Sequence, residues 1–319
     1  MGMRWETTAR GNLRVQTPAK LNLYLEVKER RADGFHEIDS LFQAVSLYDL
    51  LEFQATEDGT IVLEEEGIAD GETNLVYRAA AAARALLPRG SRAGVRISLE
   101  KRIPQGAGLG GGSSDAAATL VALARLWNLR VTRAELAAVG GELGSDVPFF
   151  LYGGTARCRG RGEEVVSYGE VFDSAPPFHY VLAYPGIHSP TKAMYEALDK
   201  SRGPEFTLTA PSALDSITAA DCYSRLRRGD LFFNRLEKVG CTVYPKAYPE
   251  WGGISSEMKK EGRFQTVLMT GSGSTFYGLC RSVEDATTLA EEVQQRNLGR
   301  KGKVFSVQSL PSCRFAWLD

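Results

Sequence analysis

The sequence predicts an α+β protein in two domains. Three observations carry this reading. Segments with the two-residue apolar period of strands and segments with the 3.6-residue period of helices both occur along the chain. The chain has 319 residues, the length of about two ordinary domains. Between Glu163 and Pro177 the patterning weakens and Ala175-Pro176-Pro177 punctuates it. The boundary is placed there, giving domains 1–168 and 169–319.

Leu21, Leu23, Leu25 and Val27 alternate with Asn22, Tyr24 and Glu26, which predicts a half-buried strand. Arg30 to Gly34 is turn-rich. Asn74 to Leu87 is alanine-rich with no breaker before Pro88-Arg89-Gly90, so it reads as a helix. Val95, Ile97 and Leu99 mark another strand. A glycine-rich stretch follows from Pro104 to Asp115, and then helical spacing from Ala116 to Asn128. Thr132 to Leu143 is a second helix, with Thr132 as N-cap and Glu135 completing a capping box. Gly144-Ser145-Asp146-Val147-Pro148 breaks the pattern before the apolar run Phe149 to Tyr152. The second domain opens with a strand, His179 to Tyr184. It closes with a strand at Thr266–Met269, a glycine turn at Gly271 to Gly273, a short strand at Thr275–Leu279 and a helix capped by Ser282. Stretches 201–220 and 241–262 read as loops or short helices.

Composition removes several function classes. Hydrophobic residues make up 43% and charged residues 24%, as in folded globular proteins rather than disordered ones. With 38 basic and 39 acidic residues the net charge is −1, which offers no electrostatic footprint for nucleic acid or an anionic membrane. No apolar stretch is long enough to span a bilayer, and Met1 to Arg14 is too polar for a secretory signal. The five cysteines are scattered without a CxxC pair, which predicts a reducing, cytoplasmic setting. The three histidines lack metal-ligand spacing, and no GxSxG elbow is present.

Glycine is the outlier, at 33 of 319 residues. Five of the seven positions from 106 to 112 are glycine, between a strand and a helix. Glycines let backbone N–H groups converge, and the helix N-terminus adds positive dipole, so the unit suits a phosphate. A mere connector would not carry so many residues that each lose extra entropy on ordering. Gly106-x-Gly108-x-x-Gly111 matches a dinucleotide fingerprint, but the acidic residue that fingerprint wants about twenty positions on would fall in a helix. A Walker loop would end in Gly-Lys-Ser/Thr, and a protein-kinase loop would be accompanied by HRD and DFG. Neither pattern occurs.

The complete string from Pro104 through Gly106, Gly108, Leu109, Gly110, Gly111, Gly112, Ser113, Ser114 and Asp115 resembles the phosphate loop of the GHMP kinase superfamily. Pro18-Ala19-Lys20-Leu21-Asn22-Leu23 resembles that superfamily's first motif, and Met269-Thr270-Gly271-Ser272-Gly273-Ser274 its third. Within it, Arg31 to Ile38, Leu41-Phe42-Gln43 and Gly144 to Phe150 are similar to the signatures of the 4-diphosphocytidyl-2-C-methyl-D-erythritol kinases, over roughly residues 13–280. The resemblance implies a fold: an N-terminal domain like domain 2 of ribosomal protein S5, with a left-handed βαβ crossover, and a ferredoxin-like C-terminal domain. The general handedness rule would have given the opposite crossover.

It also implies a chemistry: ATP-dependent phosphorylation of the 2-hydroxyl of a cytidine diphosphate sugar-alcohol on the non-mevalonate route to isoprenoid precursors. ATP is the co-substrate and Mg²⁺ its companion, near Ser113 or Ser114, with no carboxylate cluster to mark its ligands. Lys20 and Asp146 become the catalytic pair. Asn74, Lys101, Pro104, the loop from Gly106 to Ser114, Gly271 and Gly273 become the ATP site. Asn22, Phe35, His36 and Tyr195 become the substrate site, the aromatic rings suiting a nucleobase. Taken alone, these residues have ordinary readings. Asp146 and Asn74 suit helix caps, Ser113 and Ser114 suit N-caps, Lys20 a solvated strand lysine, Phe35 a core ring and His36 a turn residue. The chain is expected to act as a monomer or homodimer on small molecules.

Two features depart from the family pattern. Asn234-Arg235-Leu236-Glu237 stands where Asn-Asp-Leu-Glu is common, and Gly240 to Gly262 is divergent. They leave open a kinase of the superfamily with a different alcohol substrate, or a ligand-binding relative without activity.

Overall fold

A computed structural model gives the fold, and describes residues 3–9, 11–65, 73–202, 212–243, 255–256, 258–260, 262–295 and 302–313. The first half contains β1 (Arg4–Thr7), β2 (Leu13–Arg30), β3 (His36–Thr56), β4 (Ile61–Glu65), α1 (Leu75–Ala85), β5 (Gly94–Glu100), α2 (Gly111–Leu126), α3 (Arg133–Leu143), α4 (Val147–Tyr152), β6 (Thr155–Gly160) and β7 (Glu164–Ser167). The second half contains α5 (Gly169–Phe172), β8 (His179–Tyr184), α6 (Thr191–Arg202), α7 (Ala219–Arg228), β9 (Phe233–Asn234), α8 (Glu237–Val243), β10 (Thr266–Met269), β11 (Phe276–Cys280), α9 (Val283–Gln295) and β12 (Lys303–Gln308).

The larger sheet runs β1-β2-β3-β5-β4, with β6 on β3, β7 on β6 and β9 beside β2. β3 serves two neighbours on one edge. Its Ile38–Gln43 segment pairs β6, and its Leu50–Thr56 segment pairs β5. β4 and β5 are parallel, with α1 between them in sequence. The smaller sheet runs β10-β11-β8-β12, with every neighbouring pair antiparallel. β8 and β10 are therefore parallel with β11 between them. With α6 after β8 and α9 before β12, this is the ferredoxin-like order that the motifs imply.

Several expected elements stand within a residue or two of their sequence bounds. Thr132 accepts from the Glu135 amide and the Glu135 carboxylate accepts from the Thr132 amide, the expected capping box. Ser282 accepts from the Asp285 amide at the start of α9. Other expectations change. The apolar run at 149–152, to which the sequence pattern assigns no element, is helical (α4), with Pro148 in its first turn. The strand at 21–27 is the middle of an 18-residue strand and is buried on both faces, not one. Asn22, Tyr24 and Glu26 are covered because Thr270, Phe233 and Arg235 of the second half of the chain meet them. Of the stretches read as loops, residues 203–211, 244–254, 257 and 261 lie outside the described residues, so most of the divergent Gly240–Gly262 segment does too.

One hydrophobic core joins the halves. Ala19, Leu21 and Leu23 of β2, with Ile103 and Leu109, pack with Tyr180 and Leu182 of β8 and Tyr277 of β11. A second core lies under α2, whose residues Ser114 to Ala124 are all buried. A helix buried all round must sit at the centre of its layer, and α1, α3 and α4 pack around it. No described helix is long and apolar enough to cross a membrane.

Candidate active site

The glycine loop, the first-motif strand and the second glycine turn meet at one cavity of about 580 Å³. Lys20 and Asn22 come from β2, Asn74 and Leu75 from the start of α1, and Lys101 to Ser113 from the loop and first turn of α2. Asp146 precedes α4, Ser189, Thr191 and Tyr195 come from the region of α6, and Gly271 and Ser272 from the β10–β11 turn.

The loop's shape is dictated locally. Gly110 is the N-cap of α2 in the left-handed region (φ 71°), and a Cβ there would lie 3.0 Å from both Lys20 Cγ and Phe150 Cζ. Only glycine combines that backbone with that approach. At Gly108 (φ 78°) a Cβ would stand 2.2 Å from the carbonyl oxygen of Thr270 and 3.1 Å from that of Gly273. The two glycine turns are thus in direct contact despite their separation in sequence. The β10–β11 turn is held from behind: Asn234 donates to the carbonyls of Met269 (2.7 Å) and Gly271 (2.8 Å). Glu237 accepts from the Met269 amide at 3.0 Å. Segment 187–191 ties the two turns together. The Ser189 amide donates to Gly106 O at 2.8 Å, and its hydroxyl donates to Ser272 O at 2.7 Å.

Lys20 and Asp146 face each other across the cavity. The Lys20 ammonium is 3.4 Å from Asp146 Oδ2, donates to Asn22 Oδ1 at 2.6 Å and lies 4.7 Å from the centre of the Phe42 ring. The Lys20 side chain is 5% exposed and that of Asp146 28%, so the lysine is sheltered while the carboxylate reaches the cavity. A solvated strand lysine is thereby ruled out. Asp146 stands at the N-cap position of α4, yet its side chain makes no capping hydrogen bond. Asn22 is locked in turn, donating to Ser40 Oγ at 3.0 Å. The negative charge of Asp146 is felt nearby: after burial, it is the next influence raising the Tyr195 hydroxyl and the Cys158 thiol.

The remaining expected residues divide. Asn74 is a cap, accepting from the Val76 amide at 2.8 Å, and it also lines the cavity. Neither Ser113 nor Ser114 is an N-cap, since Gly110 takes that position and places both inside the first turn. Ser113 lines the cavity. Ser114 is fully buried, and its hydroxyl has no hydrogen-bond partner among the described residues. Lys101 lines the cavity, but its ammonium is held by Asp49 and Asp115. Gly273 meets the loop at Gly108 without lining the cavity. Tyr195 lines it and packs against His36 with the rings tilted at 36° and their centres 5.1 Å apart, and His36 Nε2 is 2.6 Å from Asp199 Oδ1. His36 is buried rather than a free turn residue. Phe35 is 51% exposed, so it is not core, and carries the Arg161 guanidinium 5.0 Å from its ring.

Sequence reasoning missed Arg161, His188, Ser189 and Thr191, all on the cavity wall. None lies in a motif, and only the fold brings them there. Arg235 also finds its place. It makes two bonds to Glu26, at 2.8 and 2.6 Å, on β2 and does not line the cavity. Among the described residues no group of three or more His, Cys, Asp or Glu is placed to hold a metal. A lysine, a carboxylate and a cradle of backbone amides around one cavity suit transfer of a phosphoryl group to a hydroxyl.

Comparison with known proteins agrees with this geometry. Residues 74–154 match the family model for the GHMP kinases N terminal domain. A 4-diphosphocytidyl-2-C-methyl-D-erythritol kinase of Moorella thermoacetica is 39% identical over 284 residues, covering 86% of this chain and 93% of the relative. The enzyme of that name from Pelotomaculum thermopropionicum is 42% identical over 276 residues, covering 85% and 90%. A solved structure of 4-(cytidine 5'-diphospho)-2C-methyl-D-erythritol kinase superposes with a TM-score of 0.73 at 35% identity, covering 93% of this chain and 98% of that one.

Proposed function

The chain belongs to the 4-diphosphocytidyl-2-C-methyl-D-erythritol kinase family, with the GHMP kinase fold, and from that premise we infer the reaction and the role of each residue in it. It is a kinase that transfers the γ-phosphoryl group of ATP to the 2-hydroxyl of 4-diphosphocytidyl-2-C-methyl-D-erythritol, on the non-mevalonate route to isoprenoid precursors. The observation that carries the reading is the Lys20–Asp146 pair, 3.4 Å apart where the two glycine turns close on one cavity.

ATP places its phosphates on the amides of Gly106 to Ser113, with Asn74 and Pro104 toward the base and Gly271 closing over them. Asp146 accepts a hydrogen bond from the attacking hydroxyl and takes its proton as the new oxygen–phosphorus bond forms and the bond from the γ-phosphorus to the bridging oxygen breaks, releasing ADP. An ordinary aspartate is a weak base for an alcohol, so orientation is the larger part of its contribution. Lys20, 3.4 Å from Asp146, stabilises the charge on the transferring group. Mg²⁺ carried by ATP would neutralise phosphate charge. The sparse protein donors here, the Ser113 hydroxyl and the Asp146 carboxylate, suit an ion that keeps phosphate and water as most of its ligands. The cytosine lies against Tyr195 and His36, with Phe35 at the rim. We place the domain boundary at 168/169, where the chain passes from the larger sheet to the smaller.

The test is direct. Incubation with Mg-ATP and 4-diphosphocytidyl-2-C-methyl-D-erythritol should give the 2-phosphate, read by phosphorus NMR, and analogues lacking the cytosine should not turn over. Equal turnover of such analogues would instead identify a superfamily kinase of broader substrate.

A further inference from the structure

A buried charge cluster in the first half sits at the neck of the glycine loop. Lys101 immediately follows β5, at the start of the segment that leads into the glycine loop, and Asp115 lies in the second turn of α2 beyond it. The Lys101 ammonium bonds to Asp49 and to Asp115, the latter at 2.7 Å, so it straps the two ends of the loop together. The other oxygen of Asp49, on β3, accepts the amides of Arg102 (2.6 Å) and Ile103 (2.8 Å). The other oxygen of Asp115 accepts the Thr17 hydroxyl of β2 at 2.6 Å. Asp49, Asp115 and Thr17 are at most 1% exposed.

We infer that Asp49 is a positioning residue for nucleotide binding: with Lys101, Asp115 and Thr17 it clamps both ends of the glycine loop to β2 and β3, and so holds the loop amides in the phosphate-accepting arrangement. The inference rests on the nucleotide reading above. Its physical basis is cost against benefit. Two carboxylates on one buried ammonium are an expensive way to stabilise a core, since well-packed apolar residues would do it more cheaply. Burial accordingly drives the Asp115 carboxyl up, while Lys101 opposes it. The arrangement supplies directional bonds at both ends of a segment that is otherwise too glycine-rich to keep one shape. A loop ordered before the nucleotide arrives loses less entropy on binding it. Lys101, read from the motifs as an ATP ligand, thereby acts on ATP through the loop.

The test compares wild type with Asp49→Asn, which keeps the shape and removes the charge. KM for Mg-ATP should rise about tenfold, in keeping with loss of a charge-assisted hydrogen-bond network. KM for the cytidine substrate should stay within about twofold, and the Arg102 and Ile103 amides should exchange hydrogen faster. A role confined to stability would lower the melting temperature and leave both KM values unmoved, and that result overturns the inference. Thr17→Val removes a single bond and provides the second variant should Asp49→Asn fail to fold. It should raise KM for Mg-ATP about threefold, and an unchanged value counts equally against the clamp. Calorimetry with Mg-ADP separates the two readings. Equal binding by wild type and variant overturns the clamp alone, whereas no binding by wild type overturns the nucleotide site and the clamp with it.

Discussion

Asp146 shows how far a single residue could be read. Its Gly-Ser-Asp-Val-Pro setting fits a helix cap as well as a catalytic carboxylate, and only its missing capping bond and its approach to Lys20 separate the two. Asp146→Asn should lower kcat by about 10²–10⁴-fold, the range for a positioned acid–base group, with the melting temperature little changed. A kcat near wild type in a steady-state phosphorylation assay would remove its role. Lys20→Met should give a loss of the same order, since in the proposed reaction it stabilises charge on the transferring group. Asp115 gives a prediction in pH. Burial raises its carboxyl from 3.8 to about 7. The folded chain then holds a proton that the unfolded chain has released, so stability falls as pH rises from about 4 to about 7 and levels off above. Asp115→Asn removes that titration, and its urea midpoint should vary less than wild type's across the same window. Parallel curves would show that the carboxyl does not titrate there.

At the scale of elements, capping and glycine chemistry were legible and burial was not. The Thr132–Glu135 capping box could be read from two letters because it is a contact within one turn. Thr132→Ala should therefore cost about 1 kcal/mol in chemical denaturation and leave activity alone. The sequence pattern starts α2 at Ala116, because a run of glycines disfavours helix in isolation. The left-handed Gly110 and the tertiary packing of α2 carry the helix back to Gly111. Gly108→Ala is the corresponding test of the loop. It adds a Cβ 2.2 Å from Thr270 O at a positive φ, so KM for ATP should rise and the melting temperature fall. Wild-type values for both would mean the two turns do not pack as described. The long β3 went unread, since its pattern mixes two partners: one segment faces β6 and another β5.

At the scale of the whole molecule, the halves are interlocked. β9 comes from the second half and pairs with β2 of the first, and isolated bridges join Val45 to Ser309 and Gly153 to Ser312. Arg157 of β6 pairs with the buried Asp39 at 2.7 Å, and also binds Leu214 O at 2.9 Å and Asp215 at 2.5 Å. With Leu21, Tyr180 and Tyr277 in one core, the two sheets should unfold together. Calorimetry should show a single transition whose van't Hoff and calorimetric enthalpies agree. Two resolved transitions would mean that each half carries a core sufficient for itself. Arg157→Met should cost about 3 kcal/mol in urea denaturation, because it leaves Asp39 buried without its partner.

The sequence by itself determined the local chemistry: which glycines form tight turns, that Lys20 and Asp146 are present in the right strings, and that strand and helix patterns alternate around them. These are readable because backbone freedom and short-range hydrogen bonds depend on neighbours in the chain. Only the tertiary structure decided which carboxylate meets which lysine. Lys20 and Lys101 look alike as letters, yet one faces the cavity with Asp146 and the other is held by Asp49 and Asp115. The difference comes from contacts between residues up to 126 positions apart, such as Lys20 and Asp146, which no local pattern encodes and which close only when the tertiary structure is packed.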